Sequence, residues 1–343
     1  MITLQQRINA FTRLGYIMKD AASPEPSSAE AEKLRKVMDR QQQHNIWFTP
    51  DNVIRSVEAI AKMLEKNKLE KWLEPYAMPD ETATKKTIAV IMAGNIPLVG
   101  FHDFLCALIT GHRLLARAST KDREMIREVG NILSGINPHF REKIKFTDKI
   151  TADYDAVIAT GSNNTSRYFE YYFGKKPHIF RKNRNSVAIL SKHTDEKDIR
   201  SLAIDIFSYY GLGCRNVSKL FIEEGMNIND LSYYWQQWSQ LLCHSPYANN
   251  YLYNKSLLNI NKQEYIDTGF SLLTPGTSLT SPVSVIHYDL FNNMKSLMEE
   301  LHLQADKIQC IVSENHIAFG QTQFPGPGEY ADNTDTLDFI ISL

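Results

Sequence analysis

The chain has 343 residues, enough for two domains of ordinary size. Hydrophobic residues make up 43% and charged residues 22%, the balance of a globular protein with a sizeable core. Lys and Arg number 38 against 39 Asp and Glu; the resulting net charge of −1 offers polyanions no general attraction and excludes nucleic acid as the main partner. The amphipathic N-terminus, MITLQQRINAFTRLG, lacks the apolar core of a secretory signal. Residues 1–20 and 29–43 read as helices joined by the Pro/Ser-rich AASPEPSS. A third opens at Pro50-Asp51, with Val53, Val57, Ile60, Ala61 and Leu64 at helical spacing. Residues 1–75 are expected to form a helical N-terminal extension without a catalytic grouping.

The pattern changes at Lys86. TIAVIMAGN is a short apolar run, as expected of a strand buried on both faces. A helix through LVGFHDFLCALITG follows, with Gly111 as its C-cap. HRLLARAST then gives a second strand and KDREMIREVGNILSGI a second helix. DAVIATG (155–161) and NSVAIL (185–190) follow as third and fourth strands. Strands alternating with helices predict a parallel sheet with helices on both faces. Further on, DEKDIRSLAIDIFSYYGLG reads as a helix, VSKLFI as a strand, 227–260 as a helical region and SPVSVIHYD as a strand, before a turn-rich tail. In SYYWQQW (232–238), core packing and the lining of a tunnel both suit the aromatic spacing. The most apolar stretch, Ile88 to Leu115, is interrupted by Asn95, Pro97, His102 and Asp103, so no membrane partner is expected. A cytoplasmic protein is the expectation.

Four strand-end or loop motifs carry chemistry. Gly94-Asn95-Ile96-Pro97 closes the first strand, where an Asn amide can stabilise an oxyanion or simply shape a turn. Arg117-Ala118-Ser119-Thr120 closes the second, with groups suited to a ribose or phosphate, or to solvent. Thr160-Gly161-Ser162 closes the third, where small residues admit a pyrophosphate or cap a helix. Gly211-Leu212-Gly213-Cys214-Arg215 offers a thiol in a roomy loop beside a guanidinium, against the alternative of a buried structural cysteine. Cys106, Cys243 and Cys310 have no such setting, and four scattered cysteines form neither a disulfide framework nor a zinc site; no metal is expected.

The order of these motifs resembles the aldehyde dehydrogenase superfamily across roughly residues 86–290. Within it the chain is most similar to the LuxC-type acyl-CoA reductase family, the reductase part of the bacterial fatty-acid reductase that supplies luciferase with aldehyde. GNIPLVGFHDFLCALITGHRLLARAST, ATGSNNTSRYFEYYFG, RKNRNSVAIL and GLGCRNVSKLFI carry the resemblance. It implies an α/β fold: a parallel-sheet NAD(P)-binding domain over 76–190, a second α/β catalytic domain over 191–320 carrying Cys214, and a tail over 321–343. It implies Cys214 as nucleophile and Asn95 as oxyanion-stabilising amide. Arg117 and Ser119 are then expected near the adenosine ribose, and Thr160, Gly161 and Ser162 near the pyrophosphate and nicotinamide.

Two departures matter. Where hydrolytic relatives read Glu-Leu-Gly-Gly-Lys, with the Glu as general base, this chain reads Arg181-Lys182-Asn183-Arg184-Asn185. Where oxidising relatives read Glu-x-Phe-Gly-Pro, it reads Ser278-Leu279-Thr280-Ser281-Pro282. The first points from hydrolytic oxidation towards reduction of an acyl thioester, from acyl-CoA or acyl-carrier protein, to aldehyde; the second removes the Glu that relatives use on the nicotinamide ribose, a contact missing here or supplied differently. Relatives preferring NAD read Lys-Pro-Ser-Glu at the second strand end. Here Thr120 replaces the Glu and Arg117 and Lys121 bracket it, so NADPH is expected over NADH, with Asp122 restoring part of the repulsion. The chain is shorter than typical members, so a homo-oligomer is expected to have a reduced arm. Reduction of another activated acyl group, such as an acyl phosphate, and cofactor-free acyl binding or transfer are the competing expectations.

Overall fold

The computed structural model describes residues 2–78, 86–150, 153–161 and 163–343. The chain divides into two compact units, one of residues 1–183 and 324–343, the other of residues 184–323.

The first unit begins with five helices: α1 (Leu4–Ala22), α2 (Ala29–Met38), α3 (Gln41–His44), α4 (Pro50–Met63) and α5 (Lys66–Leu73). Thr3 and Gln6 close a reciprocal capping box on α1, and Pro50 opens α4 where no intrahelical N–H partner is needed. A parallel sheet follows, made of β1 (Thr87–Ile91), β2 (Arg113–Arg117), β3 (Ile144–Phe146), β4 (Ala156–Thr160) and β5 (His178–Arg181), in the order β3-β2-β1-β4-β5. The crossover helices are α6 (Phe101–Ile109), α7 (Arg123–Ile136) and α8 (Asn163–Phe173). The chain winds outward from β1 through β2 to β3, then returns to the other side of β1 as β4. That reversal puts the topological switch point at the carboxyl ends of β1 and β4, where such sheets bind ligands.

The N-terminal helices are part of this unit's core. Phe11, Leu14 and Met18 of α1 pack in one cluster with Ile88 and Val90 of β1 and Phe104, Leu105 and Leu108 of α6. Arg7, 2% exposed, donates from Nε to the Ile109 carbonyl at 2.7 Å, satisfying an open carbonyl at the C-terminus of α6. The C-terminal segment returns to the same cluster through Leu337 and Ile340. Trp72 Nε1 donates to Tyr330 Oη (2.8 Å), and Tyr76 Oη donates to Asp335 (2.6 Å), fastening that segment to the preface.

The second unit holds β6 (Asn185–Leu190), α9 (Glu196–Phe207), β7 (Val217–Glu223), α10 (Asp230–Tyr234), α11 (Ser245–Ile260), β8 (Ile266–Asp267), β9 (Leu272–Pro275), β10 (Val285–Phe291), α12 (Met294–Leu303) and β11 (Ile308–Val312). Its sheet has the order β11-β6-β7-β10-β9-β8, parallel except for the β8–β9 edge pair. NSVAIL, grouped by its sequence with the first domain, is therefore an inner strand of the second sheet. The first sheet ends instead at β5, whose four residues show no apolar run. A final helix, α13 (Thr336–Ile341), lies in the first unit. Trp235 is fully buried, donates from Nε1 to the Ile199 carbonyl at 2.9 Å and packs edge-on to Phe207; it is core, as the aromatic spacing allowed. Among the described residues no helix is long and apolar enough to cross a membrane.

Candidate active site

In the first unit, Ile91 lies in register with Arg117 on one side and Ala159 on the other. The loops carrying Asn95, Ser119 and Gly161 therefore emerge side by side from one edge of the sheet. Asn95 is exposed on the turn that follows β1. Three distant side chains hold that turn: Asn45 Nδ2 donates to the Gly94 carbonyl (3.3 Å), Ser56 Oγ to the Pro97 carbonyl (2.7 Å), and the Leu98 N–H donates to Asp122 Oδ2 (2.7 Å). Leu98 itself has φ 55, a left-handed conformation that costs an L-residue on the order of 1–2 kcal/mol and needs such support.

Gly94 is dictated by its neighbour. A Cβ there would lie 2.3 Å from Ser119 Oγ and 2.6 Å from Ser119 Cβ, so only glycine lets the β1 and β2 loops touch. Ser119 Oγ in turn accepts from the Lys121 N–H (3.3 Å). Arg117 is exposed and donates from Nε to the Asp148 carbonyl (3.2 Å). Thr160 and Gly161 are half-buried at the end of β4, and the Gly161 N–H donates to the Arg181 carbonyl (3.4 Å). Ser162 lies outside the described residues.

Asp122 corrects one expectation. It is 4% exposed and spends a carboxylate oxygen on Leu98, while burial raises its carboxyl well above the usual range. A carboxyl buried and turned into the protein is not placed to repel a ribose phosphate, so Asp122 braces the Asn95 loop.

Arg181, at the position of the hydrolytic Glu in the resemblance, is 3% exposed. It pairs with Asp103 (2.7 Å) and donates to the Ala331 carbonyl (2.7 Å) and Thr336 Oγ1 (2.8 Å). Its guanidinium ties α6 to the C-terminal segment and is unavailable as a base.

The second unit presents Cys214, exposed, on the turn between α9 and β7. Side chains hold the backbone on both sides of it. Gly213 N–H donates to Asn216 Oδ1 (2.9 Å), and the Asn216 N–H returns to the Gly213 carbonyl (3.0 Å). Ser186 Oγ donates to the Cys214 carbonyl (2.9 Å) and Gln323 Nε2 to the Arg215 carbonyl (3.2 Å). Gln323 Nε2 also donates to Thr322 Oγ1 (3.0 Å), and that hydroxyl donates to the buried Asp205 (2.8 Å). Arg215 donates from Nη1 to Cys310 Sγ at 3.4 Å.

The other thiols differ. Cys106 is fully buried and burial pushes its thiol well up, followed by the nearby Asp103 charge. Cys310 is buried. Cys243 is exposed, but the adjoining His244 ring stacks on Tyr210, centroids 4.5 Å apart, instead of forming a dyad. In the 278–282 segment, Leu279 is buried, its carbonyl accepts from Ser218 Oγ (2.6 Å), and Thr280 Oγ1 accepts from Asn185 Nδ2 (2.9 Å). Asn45, Ser56, Ser186, Asp205 and Gln323 went unnoticed in the sequence because each acts on a loop far from it along the chain. Among the described residues no cluster of His, Cys, Asp and Glu could hold a metal.

The first unit's strand edge suits a dinucleotide: closely apposed small residues at Gly94 and Ser119, a further glycine at the end of β4 at Gly161, a hydroxyl at Ser119, and an exposed guanidinium at Arg117. Comparison with solved structures gives aldehyde dehydrogenases. A Burkholderia cenocepacia structure described as an aldehyde dehydrogenase is 12% identical with a TM-score of 0.63, covering 91% of this chain and 74% of the other. Aldehyde dehydrogenase 21 from Physcomitrella patens, in complex with succinate, is 10% identical with a TM-score of 0.59, covering 91% and 77%. The NAD+ complex of a Bacillus cereus aldehyde dehydrogenase is 10% identical with a TM-score of 0.55, covering 91% and 76%. At these identities the likeness shows the fold. No curated protein matches the chain. The family model for acyl-CoA reductase (LuxC) matches residues 25–233, more than half of the chain and a span running from the preface past the Asn95, Arg117, Thr160 and Cys214 loops. The chain thus belongs to the LuxC acyl-CoA reductase family, oxidoreductases that act on acyl and aldehyde groups.

Proposed function

We propose that the protein reduces an acyl thioester, borne by coenzyme A or an acyl-carrier protein, to an aldehyde with NADPH through an acyl-enzyme on Cys214. The observation that carries this reading is the Cys214 turn: an exposed thiol on a backbone where side chains hold the Gly213 N–H and the Cys214 and Arg215 carbonyls. A nucleophile gains from such fixing because attack on a carbonyl tolerates little error in direction.

The Cys214 thiolate attacks the acyl carbonyl, the C–S bond to the carrier breaks, and the carrier leaves as a thiolate. Asn95 donates its amide N–H to the oxygen that gains negative charge, with the Cys214 backbone N–H as second donor; each is worth about 3–4 kcal/mol in comparable sites. The acyl group is then held by Cys214, whose sulfur is released as thiolate when the aldehyde departs. A reduced nicotinamide, when bound, supplies the hydride. Arg117 and Ser119 would hold its adenosine ribose and 2′-phosphate, and Thr160, Gly161 and Ser162 its pyrophosphate and nicotinamide ends. The inward-facing Asp122 and the missing acid at Thr120 leave the positive charges of Arg117 and Lys121 unopposed by a neighbouring carboxylate on this stretch, which favours NADPH. Hydrolysis of the acyl-enzyme lacks support, since Arg181 is buried on Asp103 and residues 181–185 contain no carboxylate.

Oxidation of NADPH and NADH followed spectrophotometrically with a panel of acyl-CoAs tests the reaction, and mass spectrometry after mixing with acyl-CoA tests the nucleophile. Cys214→Ala is expected to abolish the adduct, while Cys106, Cys243 and Cys310 are each replaceable by Ser with acylation kept. A thioester adduct in Cys214→Ala would overturn the assignment.

A further inference from the structure

We infer that Asn216 is the positioning residue of Cys214, fixing the direction in which the thiol is presented. The inference rests on Cys214 being the nucleophile. Asn216 is 2% exposed and spends its whole amide on backbone. Its Oδ1 accepts from the Gly213 N–H at 2.9 Å. Its Nδ2 faces the Asp205, Ile206 and Ser208 carbonyls at 3.0, 3.3 and 2.8 Å. These carbonyls lie where α9 ends, and a helix leaves its last carbonyls without intrahelical donors. One side chain therefore closes the open end of α9 and grips the residue before Cys214.

The path between those two anchor points explains why a grip is needed. After Ser208 the chain turns through three successive left-handed residues, Tyr209 (φ 52), Tyr210 (φ 58) and Gly211 (φ 76). A helix commonly ends in one left-handed glycine; two tyrosines in that region are each disfavoured, and surrounding structure must impose them. Both rings are buried, and Tyr210 stacks on His244. A strained segment relaxes if its ends are released, and the two ends are what Asn216 joins. Asparagine alone among residues of this size offers one acceptor and two donors on a planar group. Asp would keep an acceptor for Gly213 but set a carboxylate against three carbonyls, and Ala would remove the side-chain bonds to the Gly213 N–H and to all three carbonyls.

The test uses the full chain with Asn216→Ala and Asn216→Asp, measuring acyl transfer from acyl-CoA to Cys214, alkylation of Cys214 by iodoacetamide, and the apparent KM for acyl-CoA. Alkylation at a saturated carbon needs no oxyanion donors, so it reads the thiol itself, whereas acyl transfer reads its direction. Both variants are expected to slow acyl transfer about 100-fold, the scale of a misplacement near 1 Å. Alkylation is expected to stay within about threefold of wild type and KM to be unchanged, a split that a loss of folding would not produce. Wild-type acyl transfer in a folded variant overturns the inference. So does a parallel fall in alkylation, or failure of both variants to unfold cooperatively, which would make Asn216 a residue of the fold alone. If only Asn216→Ala fails to fold, Asn216→Asp decides. Cys214→Ala is run alongside: an adduct surviving there defeats the nucleophile assignment, whereas its loss together with normal acylation of the Asn216 variants defeats only the positioning role.

Discussion

Asp205 allows the support of the Cys214 turn to be weighed by pH. Its carboxylate is fully buried in the second unit and accepts from the Gly320 N–H (2.6 Å), the Thr322 N–H (2.9 Å) and Thr322 Oγ1 (2.8 Å). Burial raises its carboxyl from 3.8 to about 6, outweighing the three donors that pull it down. In the unfolded chain the proton leaves near 3.8, so between the two values the folded form binds more protons and stability falls as pH rises. Each tenfold difference in proton affinity is worth about 1.4 kcal/mol, which makes the loss about 3 kcal/mol, complete once the pH passes about 6. Asp205→Asn removes the titration. It also turns an amide N–H towards one of the three donors, a penalty of about 1–2 kcal/mol that does not vary with pH. Urea unfolding of both proteins between pH 4 and 7.5 is expected to show the wild type losing about 2.4 kcal/mol relative to the variant across that range. Curves that run parallel would refute a carboxyl with a raised affinity at this position.

Two further substitutions address the reaction. Asn95→Ala is expected to lower kcat about 100-fold with NADPH affinity nearly unchanged, because an oxyanion donor acts in the transition state; weaker cofactor binding at full turnover would make Asn95 a turn residue. Arg117→Ala is expected to weaken NADPH binding about tenfold and NADH binding much less, since a guanidinium–phosphate bond is charge-assisted; fluorescence titration showing equal losses, or a wild-type preference for NADH, would reject the 2′-phosphate contact.

What was legible in the sequence follows a physical division. β1, β2 and β4 are apolar runs buried on both faces, and each ends in a loop whose residues differ sharply from the strand before it. That contrast is local, so Asn95, Arg117, Ser119 and Gly161 could be found along the chain. β3 and β5 have three and four residues, and both include residues left partly accessible, so neither shows a continuous apolar run. Without β5, NSVAIL was counted with the wrong sheet. The preface read correctly as helical, but only the structure shows that Phe11, Leu14 and Met18 share a core with β1. Amphipathic spacing says that a helix buries a face, not which surface receives it.

The supports of the reactive loops were illegible for a different reason: they act at long range on groups every residue possesses. Asn45 reaches Gly94, Ser56 reaches Pro97, and Ser186 reaches Cys214, and in each the target is a backbone carbonyl that carries no sequence signature. Yet these contacts decide whether the visible motifs can work. Leu98 and Tyr209–Tyr210 lie in conformations the chain does not choose for itself, beside the two residues proposed to act on the acyl carbon. Conformations of that kind persist only where surrounding contacts impose them, so the distant hydrogen bonds are part of what holds these turns. The Arg181–Asp103 pair shows the converse. Its position in the resemblance suggested chemistry, but a guanidinium 3% exposed and bonded to Asp103, Ala331 and Thr336 is committed to holding the C-terminal segment. Replacing a general base by a buried arginine changes both the electrostatics and the use of the position. Water cannot be activated by a group that has no lone pair to offer, which supports the proposed reduction, a step that draws on no attacking water, over hydrolysis.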